Sequence, residues 1–373
     1  MVMLNRNRGK DLLEALLTVP VIYGSMISKD SKYVAYTWKN VHPNLDVFVV
    51  PTDGTTPPIA LTETPEATFA VNFTSDSRSV IVGEDKDRNE RVRLFEVKID
   101  KPKQMIPLME EDPQFFLRGG ALHPNRKWLV YGANYDADKK EEIEPTWLYR
   151  HDLETEERVV LAKPKNPTWV YPQLNNQGTH VLYNRKDIHP KGDQFWLVDI
   201  RGEEDREILN FGPKAKVQAV WLPDGRRVGF ITETKDGKAL KYYALGIYDI
   251  RGGEIDWLID DPDRNIERIQ SPINGNHLVI LEYLKASVKP SIIDLTNMKE
   301  KSIPKIKGSL LPIGPVTNEE WVGLYYSSTQ PHEIVRFDIN NVEEGKFQPL
   351  IHVWERTIIK REDLAAAEDF EWK

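Results

Sequence analysis

The chain has 373 residues, a formal net charge of −8 and no cysteine. The absence of cysteine excludes a disulfide framework and a thiolate metal site, and the acidic balance without a run of five or more Lys or Arg argues against nucleic-acid binding. No segment has the about 18–20 consecutive apolar residues that a membrane span requires, so we expect a cytoplasmic protein with no membrane partner.

The first 20 residues predict a short amphipathic helix that packs on the outside of the domain. Four leucines recur at helical spacing: Leu12, Leu13, Leu16 and Leu17. Asp11 and Glu14 interrupt this apolar run and no small-residue cleavage site follows it, which argues against a secretory signal peptide. We assign residues 1–20 to an N-terminal helical extension.

A turn followed by a burst of apolar residues recurs seven times between residues 21 and 353. The polar residues at the centres of these turns are 46, 49, 52, 47, 50 and 44 positions apart: Asp30, Asp76, Asn125, Gln177, Asp224, Asn274 and Asn318. A four-stranded propeller blade needs about 40–50 residues, so the period predicts an all-β, seven-bladed β-propeller of four-stranded antiparallel blades. The predicted blades span about residues 21–64, 65–112, 113–164, 165–212, 213–262, 263–306 and 307–353.

Each predicted blade contains four segments with the character of strands. The segments after the turns, such as Trp128–Tyr131, are β-branched and aromatic, and the third segments, such as Ile247–Ile250, often end in Asp and an aliphatic residue. A charged insert at residues 136–144 is predicted to be a loop, with a docking surface as the alternative. The segment before each turn is predicted to be the innermost strand, lining a central channel: residues 23–27, 68–73, 116–122, 169–174, 217–221, 267–270 and 311–315.

Charged residues on these inner segments are the candidate binding residues. The segments contain Arg118, Arg268 and Glu267. An arginine that faces the channel can bind a carboxylate or a peptide terminus through bidentate hydrogen bonds, so these residues are candidates for lining the channel or binding a peptide. The alternative is that each is paired within the propeller or points between blades.

Patterns for catalysis or metal binding are few. No Gly-x-Ser-x-Gly motif occurs and no histidines have zinc-ligand spacing, so we expect neither a catalytic residue nor a cofactor. Asp85, Asp87 and Asn89 mimic the first ligands of a calcium loop. Glu96 falls at the last ligand position, but Glu90 stands where the sharp turn needs glycine, so a solvated charged hairpin is favoured.

The first blade resembles the blades of the prolyl oligopeptidase family of serine peptidases, of the acylaminoacyl peptidase kind. Its core reads Ser-Lys-Asp-Ser-Lys-Tyr-Val-Ala-Tyr, then Leu-Asp-Val-Phe-Val-Val-Pro-Thr-Asp-Gly, then Ile-Ala-Leu-Thr, within residues 28–62. The TolB type of propeller is similar, but it has six blades, whereas seven blades match the peptidases. Residues 354–373 resemble the linker that leads from such a propeller into a hydrolase domain.

This resemblance implies a non-catalytic propeller that gates substrate access and docks to an α/β-hydrolase domain, with an oligopeptide substrate passing through or beside it. In that family the catalytic Ser, Asp and His lie in the hydrolase domain, so none is carried over to this chain, and the whole enzyme would hydrolyse oligopeptides or acylaminoacyl peptides. The resemblance also implies that Leu364, Phe370 and Trp372 pack against the hydrolase domain and that residues 364–367 form a short helix. The sequence ends at Lys373 before any hydrolase segment, so we expect a propeller separated from, or encoded apart from, its hydrolase domain.

Two other functional classes stay open at this point. A stand-alone propeller scaffold that binds a protein or peptide on one face is compatible with a repeat fold. A channel-centred enzyme of the lyase or lactonase kind needs several acids or histidines on the inner strands, and the predicted inner strands hold few.

Overall fold

The computed structural model describes residues 6–111, 113–284 and 287–368. Within these residues the chain forms seven four-stranded antiparallel sheets, which confirms the predicted all-β, seven-bladed propeller. One α-helix, α1 (Arg6–Leu17), precedes the first blade. Short 3₁₀ turns lie at Lys86–Arg88, Glu344–Lys346, Val353–Arg356 and Arg361–Asp363.

Each blade consists of four strands that are consecutive in the sequence, and the first strand of each blade contacts the first strands of its neighbours around the axis. Blades 1 to 4 contain β1 (Val21–Ile27), β2 (Tyr33–Lys39), β3 (Asp46–Pro51), β4 (Ile59–Ala60), β5 (Ala67–Phe73), β6 (Ser79–Asp85), β7 (Arg93–Lys98), β8 (Met105–Pro107), β9 (Leu117–Leu122), β10 (Trp128–Asp136), β11 (Glu141–Asp152), β12 (Arg158–Ala162), β13 (Pro172–Leu174), β14 (His180–Arg185), β15 (Gln194–Asp199) and β16 (Arg206–Leu209). Blades 5 to 7 contain β17 (Val217–Trp221), β18 (Arg227–Lys235), β19 (Lys238–Asp249), β20 (Ile255–Ile259), β21 (Ile266–Gln270), β22 (His277–Leu284), β23 (Ser287–Asp294), β24 (Lys299–Ser302), β25 (Ser309–Pro315), β26 (Glu320–Ser327), β27 (Gln330–Asp338) and β28 (Gln348–Pro349).

The second strands of the blades are buried on both faces, because the sheets of neighbouring blades pack against them. Val34–Trp38 in β2 and Ser79–Glu84 in β6 are buried at every position. Apolar clusters fill the spaces between blades, as where Val49 of blade 1 and Val82 of blade 2 share one cluster. The continuous apolar runs that predicted these strands are therefore the runs that a strand buried on two sides requires.

The ring closes between blade 7 and blade 1 without a shared strand. Among the described strands, β1 pairs only within blade 1 and β28 only within blade 7. An apolar cluster fills this seam and contains Trp38 of blade 1 together with Val322 and Ile334 of blade 7. The backbone N–H of Ile22 also lies 3.3 Å from Nδ1 of His332 across the seam. Closure of the ring therefore depends on side-chain packing.

The strand order gives the propeller two different faces. Inner strands begin and outer strands end on one face, which also carries α1, the segment after β28 and the hairpins between second and third strands. We call it the terminal face; it comprises residues 6–20, 40–45, 61–66, 86–92, 108–111, 113–116, 137–140, 163–171, 186–193, 210–216, 236–237, 260–265, 303–308, 328–329 and 350–368. The opposite face, the turn face, comprises residues 28–32, 52–58, 74–78, 99–104, 123–127, 153–157, 175–179, 200–205, 222–226, 250–254, 271–276, 295–298, 316–319 and 339–347.

The N-terminal helix forms as predicted, but its leucines do not pack on the propeller. Ala15 is buried in α1, whereas the four leucines are exposed: Leu12, Leu13, Leu16 and Leu17. The side-chain amide of Asn40 holds the end of the helix by donating to the carbonyls of Leu17 and Val19, at 3.0 and 2.9 Å. The predicted packing of the apolar face is therefore wrong. Neither α1, with 12 residues, nor any other helix of the described chain is long and apolar enough to cross a membrane.

The charged insert of the third blade is mostly strand, which corrects the predicted loop at residues 136–144. β10 continues to Asp136 and β11 begins at Glu141, so a turn of four residues remains. Asn134 fixes this extension: its amide donates to Oε1 of Glu142 at 3.0 Å, and its Oδ1 accepts the backbone N–H of Phe116 at 2.6 Å. A projecting hairpin meets solvent on both faces, so charged side chains do not prevent strand formation there.

We expect the free energy of unfolding to fall as the pH is lowered below about 6.5, the ordinary pKa of histidine. The side chain of His151 is fully buried, and burial, with the nearby charge of Arg158, lowers its pKa. The unfolded chain takes up a proton that the folded chain resists, so stability is lost toward acid by at most about 1.4 kcal/mol per pH unit for this group. Urea unfolding of wild type and His151→Gln across this range measures the effect, and parallel curves would contradict it.

Candidate functional site

Exposed apolar side chains are concentrated on the terminal face. Thirteen large apolar side chains of the described residues are exposed, and ten of them lie on this face or at a strand end beside it: Leu12, Leu13, Leu16, Leu17, Trp169, Tyr171, Ile188, Tyr283, Leu284 and Ile358. The turn face carries one of the thirteen, Met298. The exposed apolar surface is therefore unequally divided between the two faces.

An arginine and aromatic cluster occupies the terminal face at blades 2 to 4, and it contains the predicted site residue Arg118. The guanidinium of Arg118 lies 3.7 Å from the ring centroid of Trp169, and the ring of Phe116 meets Trp169 edge-on at 6.0 Å. Arg91 lies over Phe116 at 5.5 Å and forms a 3.1 Å ion pair with Glu142. Stacking on an aromatic face fixes the arginine plane while leaving its donors available.

Trp169 is positioned by the connection into blade 4, where the prediction of an inner strand over residues 169–174 is corrected. The strand β13 begins only at Pro172, because the backbone N–H of Tyr171 donates at 2.9 Å to the side-chain Oδ1 of Asn184 on β14 instead of to a backbone carbonyl of that strand. Gly132 allows the close approach of this segment, since a Cβ at that position would lie 2.7 Å from the carbonyl of Val170. Trp169 and Tyr171 thereby line a cavity of about 460 Å³ on the terminal face.

Arg268 lies on the inner strand β21, as predicted, and faces a cavity of about 420 Å³ in the central channel. Inner strands of blades 1, 2, 6 and 7 line this cavity. Arg118 and Arg268 are on blades 3 and 6 and do not share a cavity. The structure therefore separates the two candidate arginines.

Glu267 does not line the cavity that contains Arg268. It occupies an irregularity of β21, where Ile266 pairs with Glu282 but Arg268 pairs with Leu281. Its charge acts instead beside Tyr243, whose pKa is raised by burial and by nearby carboxylates that include Glu267. The seven inner strands contain this one carboxylate and no histidine.

The calcium-like residues form a charged turn between β6 and β7. Asp85 Oδ1 accepts the backbone N–H of Glu90 at 2.9 Å, and Asn89 Oδ1 accepts that of Arg91 at 2.8 Å. Glu96 lies on β7 and forms a 2.6 Å ion pair with Arg126 of blade 3, away from this turn. Within this turn the backbone of Asp87 is left-handed, with a φ of 57°. In the described chain no three His, Asp or Glu side chains are grouped so that they could hold a metal ion.

The segment after the last blade lies along blade 7 on the terminal face. Gln330 Oε1 accepts the indole N–H of Trp354 at 3.1 Å and also binds Arg361, and the backbone N–H of Ala367 donates to Ser328 Oγ at 2.9 Å. Residues 364–367 are not helical, which corrects that prediction: the backbone N–H of Leu364 closes the turn on Arg361, and that of Ala367 donates to blade 7 instead of continuing a helix. Leu364 is half-buried, and Phe370 and Trp372 lie outside the described residues.

Neither the exposure of Trp169 and Tyr171 nor the partners of Arg118 were predicted from the sequence. The only available signal was proline, since Pro167 and Pro172 bracket the segment and proline disfavours a central strand. The role of Arg264 was not predicted either. This residue lines a cavity of about 760 Å³ at the outer side of blade 6 and forms ion pairs with Glu282 and Glu300.

No protein-family model matches the sequence, and no curated protein sequence matches it. Solved structures do match. The acylaminoacyl peptidase of Pyrococcus horikoshii is 16% identical with a TM-score of 0.64, over 91% of this chain and 53% of the peptidase. The β-propeller domain of the Trilobed protease from Pyrococcus furiosus is 15% identical with a TM-score of 0.63, over 90% of this chain and 99% of that domain. The chain thus spans about half the length of the acylaminoacyl peptidase.

An oligogalacturonate lyase in complex with manganese is also similar, with 13% identity and a TM-score of 0.65, over 85% of this chain and 88% of the lyase. Identities this low establish a shared fold and carry no activity to this chain. The Trilobed protease propeller has an open velcro topology, and in the present chain no described strand is shared between the first and last blades. The chain therefore has the propeller fold found in peptidases of the prolyl oligopeptidase and acylaminoacyl peptidase kind.

Proposed function

We propose that this chain is the substrate-gating propeller of a prolyl-oligopeptidase-type serine peptidase and that an α/β-hydrolase domain docks on its terminal face. The chain contributes no nucleophile. It limits access to the hydrolase site by size and excludes water from it, and the whole enzyme cleaves oligopeptides or acylaminoacyl peptides in the cytoplasm.

The observation that carries the proposal is the unequal exposure of apolar side chains on the two faces. Ten of thirteen exposed large apolar residues lie on or beside the terminal face. The described chain also enters and leaves the propeller there, through α1 and the segment at 350–368. A domain joined to either end would therefore meet this face first, and its contact would remove the apolar surface from water.

The candidate residues have distinct roles under this proposal. Leu364 and the exposed leucines of α1 belong to the docking surface, and Phe370 and Trp372, outside the described residues, stay candidates from the sequence alone. Arg118, held by Trp169, faces the same side and is placed to contact a carboxylate of the substrate or of the docked domain. Glu267 and Arg268 lie deeper, on the inner strand of blade 6.

The first test is the reading frame beyond the codon for Lys373, together with the intact mass of the native protein from the same cells. We expect a hydrolase segment with a Gly-x-Ser-x-Gly motif, either in the same frame or in a separate gene whose product copurifies with this chain. The assembled pair should hydrolyse a short acylated peptide and leave a folded protein intact. A stop codon with a matching mass and no hydrolase partner would replace this proposal with a stand-alone scaffold.

The docking face is tested by a matched pair of substitutions in the two-component system. Leu16 on the terminal face and Met298 on the turn face are both 42% exposed. We expect Leu16→Asp to weaken binding of the hydrolase domain by at least about tenfold, since a charge would be buried against an apolar surface. Met298→Asp should leave binding unchanged. Equal effects of the two substitutions would show that docking does not use the terminal face.

A further inference from the structure

The cavity around Arg268 is distinct from the docking surface, because it lies toward the opposite mouth of the channel. Its lining includes the last residues of β1 and β5, Gly24–Ile27 and Asn72–Phe73, and the residues that follow β21, Ser271–Ile273. These strands end at the turn face. A ligand in this cavity would be reached from the turn face even when another domain covers the terminal face.

Arg268 is the single charged residue among those that line the cavity. Within the described chain its side chain has no hydrogen-bond acceptor and no ion-pair partner, whereas Arg118 is stacked on Trp169 and bonded to the carbonyl of Leu117. Arg268 is exposed to the solvent of the channel, and its unpaired guanidinium gives the cavity that it lines a positive potential. One such charge is balanced by one negative charge, which favours a monoanion.

Neutral donors and apolar side chains accompany the charge. Asn72 and Ser25 line the cavity and make no side-chain hydrogen bond within the described chain, so their donors are available to a ligand. Met26, Leu311 and Leu324 supply an apolar wall beside them. The guanidinium fork matches the two oxygens of a carboxylate, and the apolar wall fits an aliphatic group attached to it.

We propose that this cavity binds an aliphatic carboxylate, with the carboxylate on Arg268 and Asn72 and the aliphatic group against Met26, Leu311 and Leu324. A free short-chain acid and the C-terminus of a peptide ending in an aliphatic residue both present this chemistry. The site stands apart from the proposed peptidase role, since nothing in it depends on a docked domain.

Isothermal titration calorimetry of the full chain tests the proposal with four probes: isocaproate, isocaproamide, the peptide Gly-Gly-Leu and its C-terminal amide. We expect isocaproate or Gly-Gly-Leu to bind with one-to-one saturation. The uncharged amide of the acid that binds should bind at least about tenfold more weakly, because it loses a charged hydrogen bond. Binding should weaken as salt is raised, since salt screens the guanidinium. Comparison of isocaproate with the peptide acid distinguishes the two sources of the carboxylate.

Two matched arginine substitutions locate the binding. Arg268→Gln should weaken binding of the acid at least about tenfold, whereas Arg251→Gln, at an exposed arginine of the turn face outside the cavity lining, should leave it unchanged. Asn72→Ala provides a second variant if Arg268→Gln has an altered circular dichroism spectrum or melting temperature. The proposal is overturned if acid and amide bind alike, if neither acid saturates, or if Arg251→Gln weakens binding as much as Arg268→Gln.

Discussion

Replacing Trp38 with alanine is expected to lower the free energy of unfolding by about 3–5 kcal/mol. The side chain is 1% exposed and packs in the seam between blades 1 and 7, in edge-on contact with Tyr36 and Phe48. Removing the indole leaves a large cavity in the interface that closes the ring, and none of the described strands crosses this seam to hold the blades together. The guanidinium of Arg356 also loses its contact with the ring, 5.5 Å away.

Trp169→Ala is the matched control, because it removes the same atoms from the surface. Trp169 is 44% exposed on the terminal face, so we expect its loss to cost well under half as much stability as the loss of Trp38. Urea unfolding monitored by circular dichroism measures both variants. A Trp38→Ala variant as stable as Trp169→Ala would mean that packing at the seam contributes little to the fold.

Replacing Arg264 with alanine is expected to cost about 2–3 kcal/mol, less than for a fully buried pair because these groups keep part of their solvent exposure. Arg264 forms two hydrogen bonds with Glu282, at 3.0 and 2.8 Å, and two with Glu300, at 2.9 and 2.6 Å. The Glu282 side chain is only 8% exposed. Without the guanidinium, two carboxylates remain close together in a partly buried site, each without its counter-ion.

The pH dependence of this loss separates charge from packing. Hydrogen bonding to Arg264 lowers the pKa of Glu300, so the pair stabilises the fold above the ordinary pKa of glutamate, about 4.3, and less so as the pH falls through the lowered folded pKa. The difference between wild type and Arg264→Ala should therefore narrow at low pH. Arg226→Ala, which breaks the exposed pair with Asp249, should cost no more than about 1 kcal/mol. An equal loss in both variants would contradict the buried-pair explanation.

The fold was predictable because each blade repeats the same local pattern at nearly the same interval. The turn at Asp224 and the apolar run after it, for example, are where β17 ends and β18 begins. Two-sided burial requires continuous apolar runs, so the burial of the second strands is visible in the amino-acid types. Residues 136–144 were misassigned because a hairpin that projects into solvent has no apolar pattern, and only cross-strand partners such as Asn134 reveal it.

The site was less predictable, because the direction of a side chain depends on neighbours from other blades. Arg118 and Arg268 both lie on inner strands, yet one stacks on Trp169 from the following blade and the other faces an open cavity. The helix α1 illustrates the same limit, since its leucine spacing predicts an apolar face but not which surface covers that face. Such information lies in contacts between segments that are far apart in the sequence.

The seam between blades 1 and 7 also has a consequence for the order of folding. Every sheet is built from neighbouring strands, so each blade can form by closing short loops as the chain emerges, whereas the contact between Ile22 and His332 joins positions 310 apart. Closing a flexible loop of that length costs about 5 kcal/mol of chain entropy, a cost that falls once the intervening blades are compact. Blade formation should thus precede ring closure, and the ring can part at this seam without breaking a single β-ladder.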